Sequence, residues 1–339
     1  MSTPRKTRVA VVFGGQSTEH AVSCVSAGNI LGAIDSGEFE IVPIGITRQG
    51  RWVLTGGEPQ ALEQLDGGVA GGALVSAGGV EVVDPRDGIR GLADVDVVFP
   101  VLHGAFGEDG TIQGLLEMAG LPYVGSGVFA SAAAMDKEFG KKLAAAAGIP
   151  VGPHAVLRAG QSPGEADLAR LGLPVLVKPA RAGSYAAATK VSDWADLGAA
   201  VAAAREVDPK VLVEAVIAGR EIEVGVLEGE FGGAPEASVC AELRSGSDVD
   251  VPADLPKALA DRVRELAVQA FTALDCAGLA HVDFLVTPAG EVLFNEINTM
   301  PEFTDRSLFP TMWSASGLET PKLIGRLIRT ALHRGTGLH

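Results

Sequence analysis

The chain has 339 residues, with 42 Asp and Glu against 27 Lys and Arg, and a formal net charge of −15. A chain this acidic is a poor general binder of nucleic acid or anionic membrane, so any nucleotide it holds needs local lysines and a metal ion. Its length allows two or three cored domains, and its richness in Ala, Gly and Val with 5% aromatics fits an α/β enzyme.

Cys24, Cys240 and Cys276 are scattered and odd in number, which points to a reducing compartment rather than a disulfide framework. The apolar run 9–13, behind Arg5, Lys6 and Arg8, is too short for a signal peptide. No stretch is long and apolar enough to span a bilayer. The expectation is a soluble cytoplasmic protein.

Residues 8–13 read as a strand entering Gly14-Gly15-Gln16-Ser17-Thr18-Glu19-His20, and an apolar helix pattern follows to Ile34. Strand, glycine turn and helix open a doubly wound domain, whose ligands sit at the carboxyl ends of strands. The glycines do not spell GxGxxG, so no dinucleotide is indicated. Glu19 reads as a first-turn acid complementing the helix dipole; its alternative is a partner for a substrate ammonium. Residues 39–46 predict the next strand, and 56–79 a Gly/Ala-rich loop without strict period. A buried strand at 95–102 runs into HGAFGEDG, where His103 reads as structural, and residues 111–119 predict a helix.

Residues 129–147 predict one helix, whose Lys137, Lys141 and Lys142 would ordinarily be solvated. Lys178 differs, because a Lys inside the apolar strand 174–179 needs an anionic partner. The following ARAGSYAAATKV suggests a hairpin whose tip closes over a ligand. Residues 210–216 predict a strand, 221–226 a half-exposed strand, 256–274 an amphipathic helix and 318–334 a closing surface helix.

The stretch 281–304, HVDFLVTPAGEVLFNEINTMPEFT, reads as a β-hairpin carrying acids that apolar strands do not need. With a turn at 287–290, Asp283 faces Phe294 and His281 faces Glu296. Alternation then puts His281, Asp283, Glu296 and Asn298 on one face. Two carboxylates and an amide oxygen suit Mg²⁺ bearing nucleotide phosphates. A solvated hairpin face is the alternative, and a one-residue slip would remove Asp283 from the set.

GGQSTEHAVS, HGAFGEDG, GSGVFASAAAMDK, LPVLVKP and FNEINTMP occur in this order. With them the chain resembles the D-alanine–D-alanine ligases of the ATP-grasp superfamily, from residue 8 to about residue 332. The resemblance implies an α/β, ATP-grasp fold of three α/β domains: a doubly wound, Rossmann-like domain at 1–124, a central subdomain at 125–215 and a C-terminal subdomain with the metal site at 216–339. ATP would lie between the last two. Lys137 and Lys178 would meet its phosphates; Glu214 with the backbone of Ala215 and Ile217 would line the adenine pocket; Glu221 would hold the ribose. Asp283, Glu296 and Asn298 would bind Mg²⁺ or Mn²⁺. Glu19, assisted by Ser184, would hold the first amino acid's ammonium, and Ser307 would meet the second substrate's carboxylate. A homodimer is usual in the resembling family.

The chain also departs from that pattern. The flap reads Gly183-Ser184-Tyr185-Ala186-Ala187 where the family has Gly-Ser-Ser, one residue, then Gly. His281 stands where the family has Arg, and is expected to be largely neutral at pH 7. Glu302 stands for the glycine whose N–H helps form the oxyanion hole. Between Glu242 and Pro252 the family's mobile loop is missing. The expectation is therefore a carboxylate–amine ligase working through an acyl phosphate on altered substrates. The alternatives are a true D-Ala–D-Ala ligase of reduced activity, and an inactive ATP-binding homologue.

Overall fold

A computed structural model describes residues 5–54, 81–83, 92, 94–183, 188–244 and 248–337. The loop expected at 56–79 and the hairpin tip at 184–187 lie outside them. The described strands form three sheets that follow one another along the chain.

The first sheet has the order β4-β3-β2-β1-β5. The central strand β1 (Thr7–Gly14) runs parallel to β2 (Phe39–Ile46) and β5 (Val97–Val101), and β3 (Trp52–Leu54) and β4 (Glu81–Val83) extend the β2 edge antiparallel. Helix α1 (His20–Ala33) connects β1 to β2, as the glycine-turn pattern predicts. Gly14 and Gly15 have φ of 91° and 96°, a region a side chain would strain, so the turn needs both glycines. β1 is buried on both faces. Val9, Val11 and Phe13 pack in one core with α1, while Ala10 and Val12 pack in another with Ile112 and Leu116 of helix α2 (Thr111–Ala119).

The predicted helix 129–147 is in fact two, α3 (Val128–Met135) and α4 (Lys137–Ala146). Asp136 breaks it with an extended backbone, φ −91° and ψ 101°, and its side chain accepts from Glu138 N. An Asp that caps the next helix offers the chain an alternative to continuing the previous one. The second sheet has the order β6-β9-β7-β8: β6 (His154–Leu157), β9 (Val211–Ala215), β7 (Val175–Pro179) and β8 (Thr189–Val191). β7 and β8 pair as the hairpin expected there. Its core includes Leu171 of α5 (Glu165–Leu171) and Leu197, Val201 and Ala204 of α6 (Leu197–Val207), two helices the sequence reading passed over.

The third sheet is antiparallel, β12-β11-β10-β13-β14. Its strands are β10 (Arg220–Leu227), β11 (Glu236–Leu243), β12 (Val249–Asp250), β13 (Leu279–Val286) and β14 (Val292–Asn298), covered by α7 (Lys257–Ala273) and, over β14, by α3 and α4. β10 is buried from Ile222 to Leu227 rather than half-exposed, because it lies inside the sheet between β11 and β13. The hairpin also differs from its predicted register. Val286 pairs with Val292 and Phe284 with Phe294, one residue away from expectation, because five residues (287–291) connect the strands. A β-bulge at Asn295 then restores the predicted face: Asp283 pairs with Glu296 and His281 with Asn298.

Helix α8 (Leu308–Ala315) leads to α9 (Thr320–Arg334), which is no surface helix. Leu323, Ile324, Leu327 and Ile328 are buried in the core that holds Val9, Val11 and Phe13. Its amphipathic pattern reads as a surface stripe until a distant sheet supplies the apolar partner. No helix among the described residues is long and apolar enough to cross a membrane.

Leu327 is 1% exposed, so Leu327→Ala should lower unfolding stability by about 2–5 kcal/mol in denaturant titration. A loss below about 1 kcal/mol would show that α9 does not complete the first core. His103 is the counterpart for pH. Burial holds its ring down at about 4 against a usual 6.5, while Met300 O and Ser26 Oγ lie 3.2 and 3.3 Å from its nitrogens. The unfolded state takes up this proton first on acidification, so about 3 kcal/mol present above pH 6.5 is lost as pH falls toward 4. His103→Gln should flatten the melting temperature against pH over that window, and an unchanged slope would contradict a buried neutral ring.

Candidate active site

The register of the third sheet sets three acids side by side. Glu223 on β10 pairs with Asp283 on β13, and Asp283 pairs with Glu296 on β14. Neighbouring strands are separated by about 4.8 Å, so three bare carboxylates here would repel strongly. Two of them have cations. His281 Nδ1 lies 3.0 Å from Glu223 Oε1, with its Nε2 3.9 Å from Asp283 Oδ1. Lys137, at the start of α4, lies 3.1 Å from Glu296 and donates to Ala182 O at 2.8 Å.

Burial works against charge on the His281 ring, but Glu223 and then Asp283 outweigh it and hold its pKa up at about 10. The ring is therefore cationic at pH 7, not largely neutral as its ordinary pKa suggests. Burial pushes Asp283 up to about 8, aggravated by Glu223 and Glu296 although His281 opposes it. Asp283 Oδ1 is buried with no hydrogen-bond partner among the described residues. An orphaned carboxylate oxygen beside Glu296 and the Asn298 amide is a hard-oxygen donor set, which fits Mg²⁺ or Mn²⁺. Asn298 Oδ1 also accepts from Met300 N at 2.7 Å, which fixes the amide's orientation.

These side chains open into a cleft of about 430 Å³, whose walls include Glu19, Lys137, Lys178, Glu221, Asp283 and Ser307. Lys178 is 8% exposed and lies 2.7 Å from Glu214 Oε2, which supplies the anionic partner its strand context demands. Burial alone would lower its pKa, but Glu214 and Glu296 raise it. Glu214, Ala215 and Ile217 stand outside the wall of this cleft. Ala215 N donates to Pro153 O at 3.0 Å, and Ile217 lies against Gly152, where a Cβ would meet its Cδ1 at 2.8 Å. Glu221 is at the exposed rim.

At the other end Glu19 sits between two glycines. A Cβ on Gly183 would come within 2.0 Å of its Oε1, and one on Gly104 within 3.0 Å of its Oε2. Burial and the charge of Glu302 raise the Glu19 pKa, with Lys137 opposing. Glu302 is itself raised by burial and Glu223, against His281 and a hydrogen bond to Ser307. Ser307 Oγ accepts from Thr304 N at 2.9 Å. Ser184 lies outside the described residues.

Three residues here escaped the sequence reading. Glu223 was taken as part of a half-exposed strand, although its i, i+2 spacing to Glu221 put two acids on one face. Lys141, read as solvated, is 3% exposed. Glu108, in HGAFGEDG, is pushed up to about 8 by burial and by Glu19, while its Oε2 accepts from Gly104 N at 2.6 Å; an acid inside a glycine turn was the available signal. Where the resemblance has a mobile loop, β11 and β12 are joined by residues 244–248, with Arg244 N donating to Asp248 O at 2.9 Å.

Three sheets enclosing a cleft with paired lysines and an acid row define an ATP-grasp enzyme, a ligase that forms C–N bonds. The family model described as D-ala D-ala ligase N-terminus matches residues 8–126, and that described as D-ala D-ala ligase C-terminus matches 143–329. The D-alanine–D-alanine ligase of Mycobacterium avium (strain 104) is 54% identical over 372 aligned positions, covering 100% of both chains. Since this chain has 339 residues, at least 33 of those positions lie opposite gaps in it. The D-alanine–D-alanine ligase of Nocardia farcinica (strain IFM 10152) is 55% identical, with 98% of each chain covered. Among solved structures, the D-alanine-D-alanine ligase from Coxiella burnetii has a TM-score of 0.84 at 35% identity, covering 98% of this chain and 95% of its own. The VanG D-Ala:D-Ser ligase from Enterococcus faecalis has a TM-score of 0.81 at 34% identity, covering 96% of this chain and 100% of its own. The chain belongs to the D-alanine–D-alanine ligase family.

If Glu223 keeps His281 charged, Glu223→Gln should move the ring's pKa from about 10 toward its usual 6.5 in a metal-free NMR titration. A ring still charged above pH 9 in that variant would mean that Asp283 alone holds the proton.

Proposed function

We propose that the protein joins two D-alanine molecules at the expense of ATP, giving D-alanyl-D-alanine, ADP and phosphate. The observation that carries this reading is identity above 50% with curated D-alanine–D-alanine ligases over the whole chain. It favours the ordinary reaction over the altered substrates suggested by the departures from the family pattern. The full acid row argues against an inactive homologue, since repelling carboxylates in a sheet are costly unless a cation uses them.

In this reading Glu19 holds the ammonium of the first D-alanine, assisted by Ser184. The carboxylate of that molecule attacks the γ-phosphate to give an acyl phosphate, and the amine of the second displaces phosphate to form the amide. Lys137 and Lys178 meet the phosphates, Glu221 the ribose, and Glu214 with the backbone of Ala215 and Ile217 the adenine. Asp283, Glu296 and Asn298 hold the divalent ion, which neutralises phosphate charge when bound. The cationic His281 supplies positive charge where the family has Arg, though without the planar fork of donors. Ser307 meets the second substrate's carboxylate.

A second reading concerns the amine. One solved relative is named as a D-Ala:D-Ser ligase, and Glu302 stands where the resembling family has glycine. D-serine is accordingly the first competitor to test.

Purified protein with ATP and Mg²⁺ should release ADP only when D-alanine is added, and mass analysis should show the dipeptide. Chelation should abolish turnover, and Lys137→Met should lower kcat by about 10²–10³-fold, the usual cost of removing one stabilising group. D-alanine-independent ADP release, or a product of different mass, would sink the D-Ala–D-Ala reading.

A further inference from the structure

Lys141 has no part in the roles assigned above, yet it is one of the most buried cations of the molecule, 3% exposed. Its Nζ lies 3.2 Å from Glu214 Oε1 and donates to Asn295 O at 2.8 Å. The other Glu214 oxygen, Oε2, lies 2.7 Å from Lys178 Nζ. Glu214 pairs with Leu176 across β9 and β7, and Lys178 is two residues along from Leu176, so both side chains share a sheet face. One buried carboxylate is thus shared by two ammonium groups. Of the three, Lys178 lines the cleft, while Glu214 and Lys141 stand behind it.

The charge count gives this arrangement its consequence. Two ammoniums and one carboxylate leave a net charge of +1, and only Lys178 presents it to a ligand. A buried Lys178–Glu214 pair alone would be neutral and closed, with the carboxylate competing against any incoming phosphate for the same ammonium. Glu296 and Asp283 also act on Lys178, so the cleft has no surplus of positive charge to replace what Glu214 would take. The anchor for Lys141 is built in, because Asn295 is the extra residue of the β14 bulge and turns its carbonyl to the lysine.

We propose that Lys141 is a positioning residue for the nucleotide: by holding one oxygen of Glu214 from behind, it keeps the charge of Lys178 available to phosphate. The inference rests on the reading that Lys178 meets the phosphates. The lowered Glu214 pKa, where burial is overcome by Lys141 and then Lys178, agrees with a carboxylate held ionised by both lysines.

The test is the affinity of the full-length protein for ATP, ADP and AMP with Mg²⁺, by calorimetry. Lys141→Met should weaken ATP by about 10–100-fold, the usual scale for losing a group that supports a ligand contact, while AMP changes by less than about threefold. Lys141→Arg should preserve the ATP-to-AMP affinity ratio. Lys141→Met combined with Glu214→Gln removes both buried charges and should restore that ratio. Equal weakening of all three nucleotides by Lys141→Met would make the residue merely structural and overturn the inference. If that single variant does not fold, the double variant decides, and a ratio as low as that of Lys178→Met overturns it. Lys178→Met separates the two levels. If it leaves the ratio unchanged, the phosphate role of Lys178 fails and the inference with it; if it lowers the ratio and Lys141→Met does not, only the inference fails.

Discussion

Glu223, Asp283 and Glu296 in one row across three adjacent strands are the constraint on which the rest of the site depends. Backbone pairing fixes their spacing, so they cannot relax by moving apart. The row is tolerable only if cations interleave with it. His281 does so from within the sheet, and Lys137 does so from the first turn of α4. The middle acid keeps an orphaned oxygen and an elevated pKa, the mark of a carboxylate whose partner is a ligand rather than a side chain.

Supplying Lys137 has architectural consequences. The helix that carries it must pack over β14, and the Asp136 break lets the chain turn there from α3 into α4. A buried cluster then fixes that turn: Lys210 pairs with both Asp136 and Glu138, and Glu138 also meets Lys142 and Arg158 at 2.7 and 2.9 Å. The β14 bulge resolves a second conflict. Phe294 must face the core, where its ring meets Phe284 edge-on at 6.3 Å, while Glu296 must face the cleft beside Asp283. The parity of a regular hairpin with this turn would set Asn295, not Glu296, opposite Asp283. One inserted residue satisfies both demands and frees the Asn295 carbonyl for Lys141.

The departures from the family pattern divide into charge and geometry. At position 281 the charge survives, because Glu223 keeps the shorter His side chain protonated, whereas the rigid donor fork of Arg does not. At 302 an acid enters a region that already holds Glu19, and the two raise one another's cost of ionisation only indirectly relieved by Lys137 and His281. Between β11 and β12 the chain turns back within residues 244–248 and ties Arg244 to Asp250. Ionic partners can be exchanged along a sheet face with little change of backbone; a closing loop cannot.

By itself the sequence determined the α/β class, the opening strand–turn–helix, the apolar strands at 39–46 and 174–179, and the hairpin that holds Asp283, Glu296 and Asn298. These rest on local periodicity, glycine turns and the anomaly of a charge inside an apolar run, all of which act over a few residues. The same local signals could not show that α9 closes the first core, that β10 is an interior strand, or that Lys141 is buried, since each depends on an element far away in the chain. The site was legible as a set of residues but not as an electrostatic arrangement. The protonation of His281, the orphaned oxygen of Asp283 and the sharing of Glu214 between two lysines arise where strands and a helix from separate parts of the chain meet, because burial and charge proximity are properties of the packed molecule.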